Sequence, residues 1–408
     1  MLDYFGAQVR QLRNARRLSQ SDLGDLLFVH RDLIRKIERA ERIPSREFVE
    51  GCDTVFGAGG ALARPLPMIE RERFLRRDRN TNDQTKRFRG EATDRPVLDW
   101  LLAPAGPRSR VRVADRDTTT AAAMLRQFRT TDHVQGAGST YPVLADLLRR
   151  DFDVLADGDP NVASGFLELA GYEAVDLGLD GLGQQHYLRA LRIMTQNGDR
   201  LYGGYLIAVS LAHLALHCGD PDQAIRLTTA ALHGTATEAT PAVRAAFRTV
   251  LARAHARRGD EAACAAALLQ VDADLARSKP SEEPGWIAYF GEADLADEKA
   301  HCFFDLGLHE LAQRQAVRAI ALLTPDRARR LAIDTALHAS ALARAGQVDH
   351  ASVVARRAID HASGVRSFRS AHRVVLMMAE LQPYADVAEV RDVVEYARAN
   401  LPPAVTPA

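Results

Sequence analysis

Aromatic residues occupy only 6% of the 408 positions, so the text is dominated by Ala, Leu and Arg. Cysteine is scarce too. Cys52, Cys218, Cys264 and Cys302 stand far apart with no C-x-x-C spacing, which argues against a disulfide framework or a zinc ribbon. No run of 18 apolar residues occurs, so no membrane-spanning helix is expected. The N-terminal MLDYFGAQVRQLRNARR has no apolar core of the kind a signal peptide needs, and a cytoplasmic location is the expectation. No Ser/His/Asp set or paired carboxylates stand out. Neither catalysis nor a cofactor is therefore expected.

Short signals that suggest chemistry fail on context. Gly57-Ala58-Gly59-Gly60 follows a helix and not a strand, so it does not read as a dinucleotide loop. Gly136-Ala137-Gly138-Ser139-Thr140 lacks the lysine of a phosphate loop, and His309-Glu310-Leu311-Ala312-Gln313 lacks the second histidine of a zinc protease. His213 and His217, four apart beside Cys218, could share a helical face, but no third ligand is assured and no metal site is expected.

At ~100–200 residues per domain, the length suggests two to four domains. Charge divides the chain unevenly although the net charge is zero: residues 1–115 hold 23 Lys+Arg against 17 Asp+Glu, and the remainder carries the acidic excess. A basic N-terminal part suits a polyanionic partner. Residues 76–96, RRDRNTNDQTKRFRGEATDRP, have almost nothing to bury, so 65–117 reads as a charged linker with short helices, tacked down around Trp100. The boundaries that follow are an N-terminal domain over 1–64, this linker, and a helical domain over 118–400.

An internal repeat sets the architecture of the long part. Five turn glycines, Gly178, Gly219, Gly259, Gly307 and Gly346, recur at spacings of 41, 40, 48 and 39 residues. Five residues after each stands Gly183, Ala224, Cys264, Ala312 or Ala351. Twelve after stands Ala190, Ala231, Val271, Ala319 or Ala358, and seven before stands Gly171, Ala212, Ala252, Ala300 or Ala339. Small residues at these offsets let two antiparallel helices approach closely across the turn. The pattern resembles the tetratricopeptide repeat with a period longer than its usual ~34 residues. The predicted fold is all-α, an α-solenoid of five helix pairs. An extra pair around 121–133 and 141–155 precedes them, and 370–381 with 385–399 caps the end.

Residues 18–44 read LSQSDLGDLLFVHRDLIRKIERAERIP. Ser19 is a good N-cap for a helix starting at Gln20, Gly24 marks a close crossing, and Leu23, Leu26 and Leu27 form an apolar face. A second helix from about Arg31 to Arg39 buries Ile34 and Ile37 and turns Arg31, Asp32, Arg35, Lys36 and Arg39 outward. Two short helices, the second basic on its outer face, form a helix-turn-helix. The text resembles the Xre/Cro class of repressors, with a lambda-repressor-like domain. That resemblance implies that Gln20 binds a phosphate, that His30 caps the recognition helix, that Arg31, Asp32 and Lys36 face base edges, and that Arg39 reaches a phosphate. It also implies an Arg13–Glu38 ion pair. Phe28 and Ala40 stand where the class has glycines in left-handed backbone, a conformation that costs a residue with a Cβ ~1 kcal/mol or more.

Helix-turn-helix, charged linker and repeat domain together resemble a family of actinobacterial regulators, through CDTVFGAGGALAR, PGWIAYFGEADLADEKAHCFFDLG and LQPYADVAEVRDVV. The implied function is a DNA-binding transcriptional regulator. It would be a homodimer on a palindromic operator in double-stranded DNA, with a small-molecule or peptide effector and no membrane partner. A protein-binding scaffold with a helix-turn-helix that no longer reads DNA is the alternative. The first helix of each repeat lines the concave face of such a solenoid. Its inward positions include Tyr172, His213, His217, Arg253, Arg257, His301 and Arg344, and Trp286 with Tyr289 stands ready as an apolar wall.

Overall fold

The computed structural model describes residues 2–42, 44–60, 62, 87–104 and 120–401. Most of the 65–117 segment lies outside the described residues. Among those described, every regular element is helical, so the all-α prediction holds.

The N-terminal unit consists of α1 (Leu2–Ala15), α2 (Gln20–Leu26), α3 (Arg31–Glu38) and α4 (Arg46–Phe56). Phe5, Val9, Leu23, Ile34, Ile37, Phe48, Val49, Cys52 and Phe56 form its core. Leu26 does not join them. It is half exposed, and Leu27 takes the packing place beside Leu23.

A short helix, α5 (Asp94–Leu102), comes next. Its Trp100 is fully buried against Gly203 and Gly234, where a Cβ would come within 2.4 Å of the indole. Arg200 fastens the end of α5, donating to the carbonyls of Leu101 and Ala103 at 3.0 and 2.9 Å.

The helical domain runs α6 (Thr120–Gln135), α7 (Ala137–Arg150), α8 (Phe152–Gly158), α9 (Pro160–Asp176) and α10 (Asp180–Asn197). One long helix follows, α11 (Arg200–Tyr205) and α12 (Ala212–His217) joined by a π-helical stretch at Leu206–Leu211. Then come α13 (Pro221–Gly234), α14 (Pro241–Arg257), α15 (Glu261–Leu275), α16 (Glu292–Asp305), α17 (His309–Leu322), α18 (Ala328–Arg344), α19 (Val348–Ser363), α20 (Phe368–Leu381) and α21 (Ala388–Asn400). Asp159, Asp199, Asp220 and Asp260 start their helices by accepting backbone N–H bonds in the first turn.

The five repeat glycines all have positive φ, between +72° and +81°. After each, the next N–H reaches back five residues: Leu179 to Ala174, Asp220 to Ala215, Asp260 to His255, Leu308 to Phe303 and Gln347 to Leu342, at 2.8–2.9 Å. That is a left-handed helix stop of the Schellman kind, which a Cβ would strain. The small seam residues Ala190, Ala231, Val271, Ala319 and Ala358 are all fully buried, as the periodicity requires. Stacked helix pairs thus form an α-solenoid.

The two ends of the stack meet. Arg366 N–H donates to the Gln135 carbonyl and Gly138 N–H to the Arg366 carbonyl, both at 3.1 Å. Ser367 Oγ donates to Asp176 at 2.7 Å. The entrance to α20 is therefore pinned to α6, α7 and α9, and α20 does more than cap the terminus.

Candidate nucleic-acid interface and inner groove

In the N-terminal unit, Ser19 accepts from Asp22 N–H at 3.1 Å while Asp22 accepts from Ser19 N–H at 2.7 Å, a reciprocal cap that starts α2. Gly24 is needed for the turn that follows, since a Cβ there would lie 2.6 Å from the Val29 carbonyl. Phe28, at φ +55°, closes α2, and Ala40, at φ +56°, follows α3. Both therefore hold the left-handed backbone that the sequence predicts, without glycine. The Phe28 ring is 96% exposed, so packing returns nothing for its strain.

His30 caps α3 by accepting from Asp32 N–H through Nδ1 at 3.2 Å, which leaves the ring proton on Nε2. Ile34 and Ile37 anchor the inner side of α3. Arg31 is exposed on the outer side, and Asp32, Arg35 and Lys36 are half exposed there. Asp32 is occupied. Its carboxylate lies 2.7 Å from Arg35 Nη2 and 2.9 Å from Lys36 Nζ, and these two cations hold it down to about 2. Arg39 lies 3.9 Å from Glu41, too far for more than a loose pairing.

The Arg13–Glu38 ion pair is present, with Nε–Oε1 at 2.6 Å and Nη2–Oε2 at 3.1 Å, and Arg13 also donates to the Leu18 carbonyl at 2.7 Å. Gln20 joins this pair, donating its amide to Glu38 at 2.8 Å. The pair therefore ties α1, the start of α2 and the end of α3 into one frame.

In the repeat domain, the residues expected along the inner groove are placed against one another. Glu298 accepts from His213 Nε2 and from Arg253 Nη1, each at 3.1 Å. Burial pushes the Glu298 carboxyl up, yet Arg253 and His213 outweigh it and hold it below the ordinary carboxylate range. Arg257 pairs with Asp305 at 3.2 Å, His217 lies 3.6 Å from Asp180, and His301 lies 3.5 Å from Asp297. Burial lowers His301 well below its ordinary value, and Arg253 and Arg373 add to the shift. His213 and His217 thus lie against different acids. Arg344 stands apart, bonded to Glu380 at 3.0 Å on the exposed side.

Trp286 packs 5.3 Å from the Tyr202 ring and 5.0 Å from the Tyr205 ring, and Tyr289 accepts from the Tyr205 hydroxyl at 3.2 Å. This aromatic group holds the 285–290 connection to α11. Tyr172 lies beneath two guanidinium groups, Arg329 at 4.7 Å and Arg369 at 5.7 Å. Arg329, Arg369, Arg373 and Glu298 were not singled out from sequence. The two on α20 carried a signal, their i, i+4 spacing, but α20 reads as a cap whose faces have no assigned inside.

Residues 5–66 match the helix-turn-helix domain family. None of the curated proteins compared with the chain matches it. Among the described residues no helix is long and apolar enough to cross a membrane.

Proposed function

We propose that the protein is a sequence-specific DNA-binding transcriptional regulator. In this reading it binds an imperfect palindrome as a homodimer, and its solenoid, built from tetratricopeptide-type helix pairs, senses a small molecule or peptide. It carries out no chemistry of its own. The observation that carries this reading is α3. The helix is capped by His30, anchored by Ile34 and Ile37, and presents Arg31, Arg35, Lys36 and Arg39 on its free side within a segment matching the helix-turn-helix family. Such a helix fits the major groove, where Arg and Lys read guanine edges and phosphates. One recognition helix reads only a few base pairs, which favours two-fold pairing.

The second reading, an interaction scaffold that no longer reads DNA, draws on Asp32, which holds two of the outward cations. Fluorescence anisotropy on the DNA upstream of the protein's own gene, over a salt series, separates the two. The regulator reading expects one preferred site with affinity falling steeply as salt rises. Absence of binding at every salt concentration would leave the scaffold. Light scattering on the protein–DNA complex tests the dimer. A single protomer protecting one asymmetric site would remove it.

A further inference from the structure

A cation withdrawn from water needs an acid beside it. The neighbouring arginines have one: Arg253 has Glu298, Arg257 has Asp305, and Arg329 has Asp132 and Asp176. Arg369 and Arg373 are different. They stand one helical turn apart on α20, on the same face, and neither forms an ion pair with a described carboxylate. Each is laid over an aromatic ring instead, Arg369 5.7 Å from Tyr172 and Arg373 5.4 Å from Phe304. Nε and Nη2 of Arg373 are shut off from solvent and have no acceptor among the described residues. Both residues remain partly exposed.

The acids that face this spot are already engaged. Asp305 serves Arg257, Glu380 serves Arg344, Glu298 serves Arg253 and His213, and Asp176 serves Arg329 and Ser367. The surplus of positive charge is felt by the neighbours. Burial lowers His217 to about 4, with Arg369, His372 and Arg253 contributing, although Asp176 opposes them. Burial likewise lowers Arg373 to about 10, with Arg253 and Arg257 contributing against Asp305 and Glu380.

We propose that the face of α20 that meets Tyr172 of α9 and Phe304 of α16 binds a small molecule bearing a phosphate dianion, held by Arg369 and Arg373. Two guanidinium forks offer paired N–H donors that match phosphate oxygens, and two cations balance a dianion where a single carboxylate would leave one unmatched. The Tyr172 and Phe304 rings lie against the two guanidinium groups and support them. The proposal rests on the sensor reading of the groove and names the chemistry of its effector.

The test is thermal unfolding and calorimetric titration of the full chain with inorganic phosphate and with glycerol 3-phosphate, at constant ionic strength in chloride, using citrate as the carboxylate control. Wild type should show a saturable rise in Tm of about 2–4 °C with phosphate or the phosphate ester and none with citrate. A response to the ester alone would assign the site to a phosphorylated metabolite, and an equal response to both would assign it to the phosphate itself. R373K keeps the charge but loses the fork, and its affinity should fall by about tenfold or more. R369Q/R373Q should lose the response while unfolding no earlier than unliganded wild type, because two unmatched cations are gone. An equal response in the double variant, no saturable response in wild type, or early unfolding of a double variant whose parent ignores phosphate would each overturn the proposal. Phosphate binding with unchanged DNA affinity would keep the site and remove the sensor reading. DNA binding that answers to another molecule, without phosphate binding, would do the reverse.

Discussion

Arg329 Nη2 lies 2.7 Å from Asp132 Oδ2, joining α18 to α6 across 197 residues of chain. Its second nitrogen bonds Asp132 again at 2.9 Å and approaches Asp176 at 3.4 Å, and all three side chains are buried. The pair belongs to no single repeat. It is made only when the stack curves far enough for its first helices to meet its last.

Removing Arg329 should therefore be costly. Arg329→Ala leaves Asp132 and Asp176 buried without their cation, and a loss of about 3–5 kcal/mol is expected in urea unfolding. The double variant Asp132→Asn/Arg329→Met should recover much of it, since a buried pair replaced by neutral groups of similar size is often no less stable. Additive losses in the cycle would mean that the two residues do not act together.

Glu173 should make stability fall as pH rises. It is fully buried, accepts from the Thr140 hydroxyl at 2.7 Å through Oε1, and has no partner for Oε2 among the described residues. Burial, with Asp132 adding to it, raises its carboxyl from 4.5 to about 9. Between those values the folded protein keeps a proton that the unfolded chain releases, so the folded state is progressively disfavoured with rising pH, by at most about 1.4 kcal/mol per unit. Glu173→Gln keeps the acceptor and has no proton to lose. Its Tm should exceed that of wild type at pH 8.5 and converge with it near pH 5. Parallel pH profiles would show that Glu173 is already ionised.

The outward face of α3 yields two opposite expectations. Arg31 is exposed and forms no ion pair among the described residues, and Arg31→Ala should cost about 1–3 kcal/mol on the preferred site while relaxing selectivity at one base pair. Asp32→Asn frees Arg35 and Lys36 from the acid that holds them, so binding to random DNA should strengthen and its salt dependence steepen. Equal loss on specific and random DNA for Arg31→Ala would remove the base contact.

Phe28→Gly should stabilise the N-terminal unit by about 1 kcal/mol, because the left-handed backbone there is strained for any residue with a Cβ and the ring packs on nothing. Thermal unfolding of the full chain reads this directly. A lower Tm would mean that the exposed ring makes contacts which its exposure does not reveal.

The sequence by itself determined what depends on short offsets. Left-handed glycines five residues short of a small buried side chain define a helix hairpin wherever they occur, because the turn and the seam are set within about twenty residues. The helix-turn-helix was legible for the same reason: Ser19, Gly24, His30, Ile34 and Ile37 act within two short helices. Tertiary structure decided the rest. That Gln20 donates to Glu38 and so joins the Arg13–Glu38 pair depends on how α2 and α3 cross. That Arg253 and His213 converge on Glu298, and that α20 lays two arginines over Tyr172 and Phe304, depends on how successive helix pairs rotate as they stack. No local pattern encodes that sum. It emerges only when the whole stack has packed and Arg329 has found Asp132.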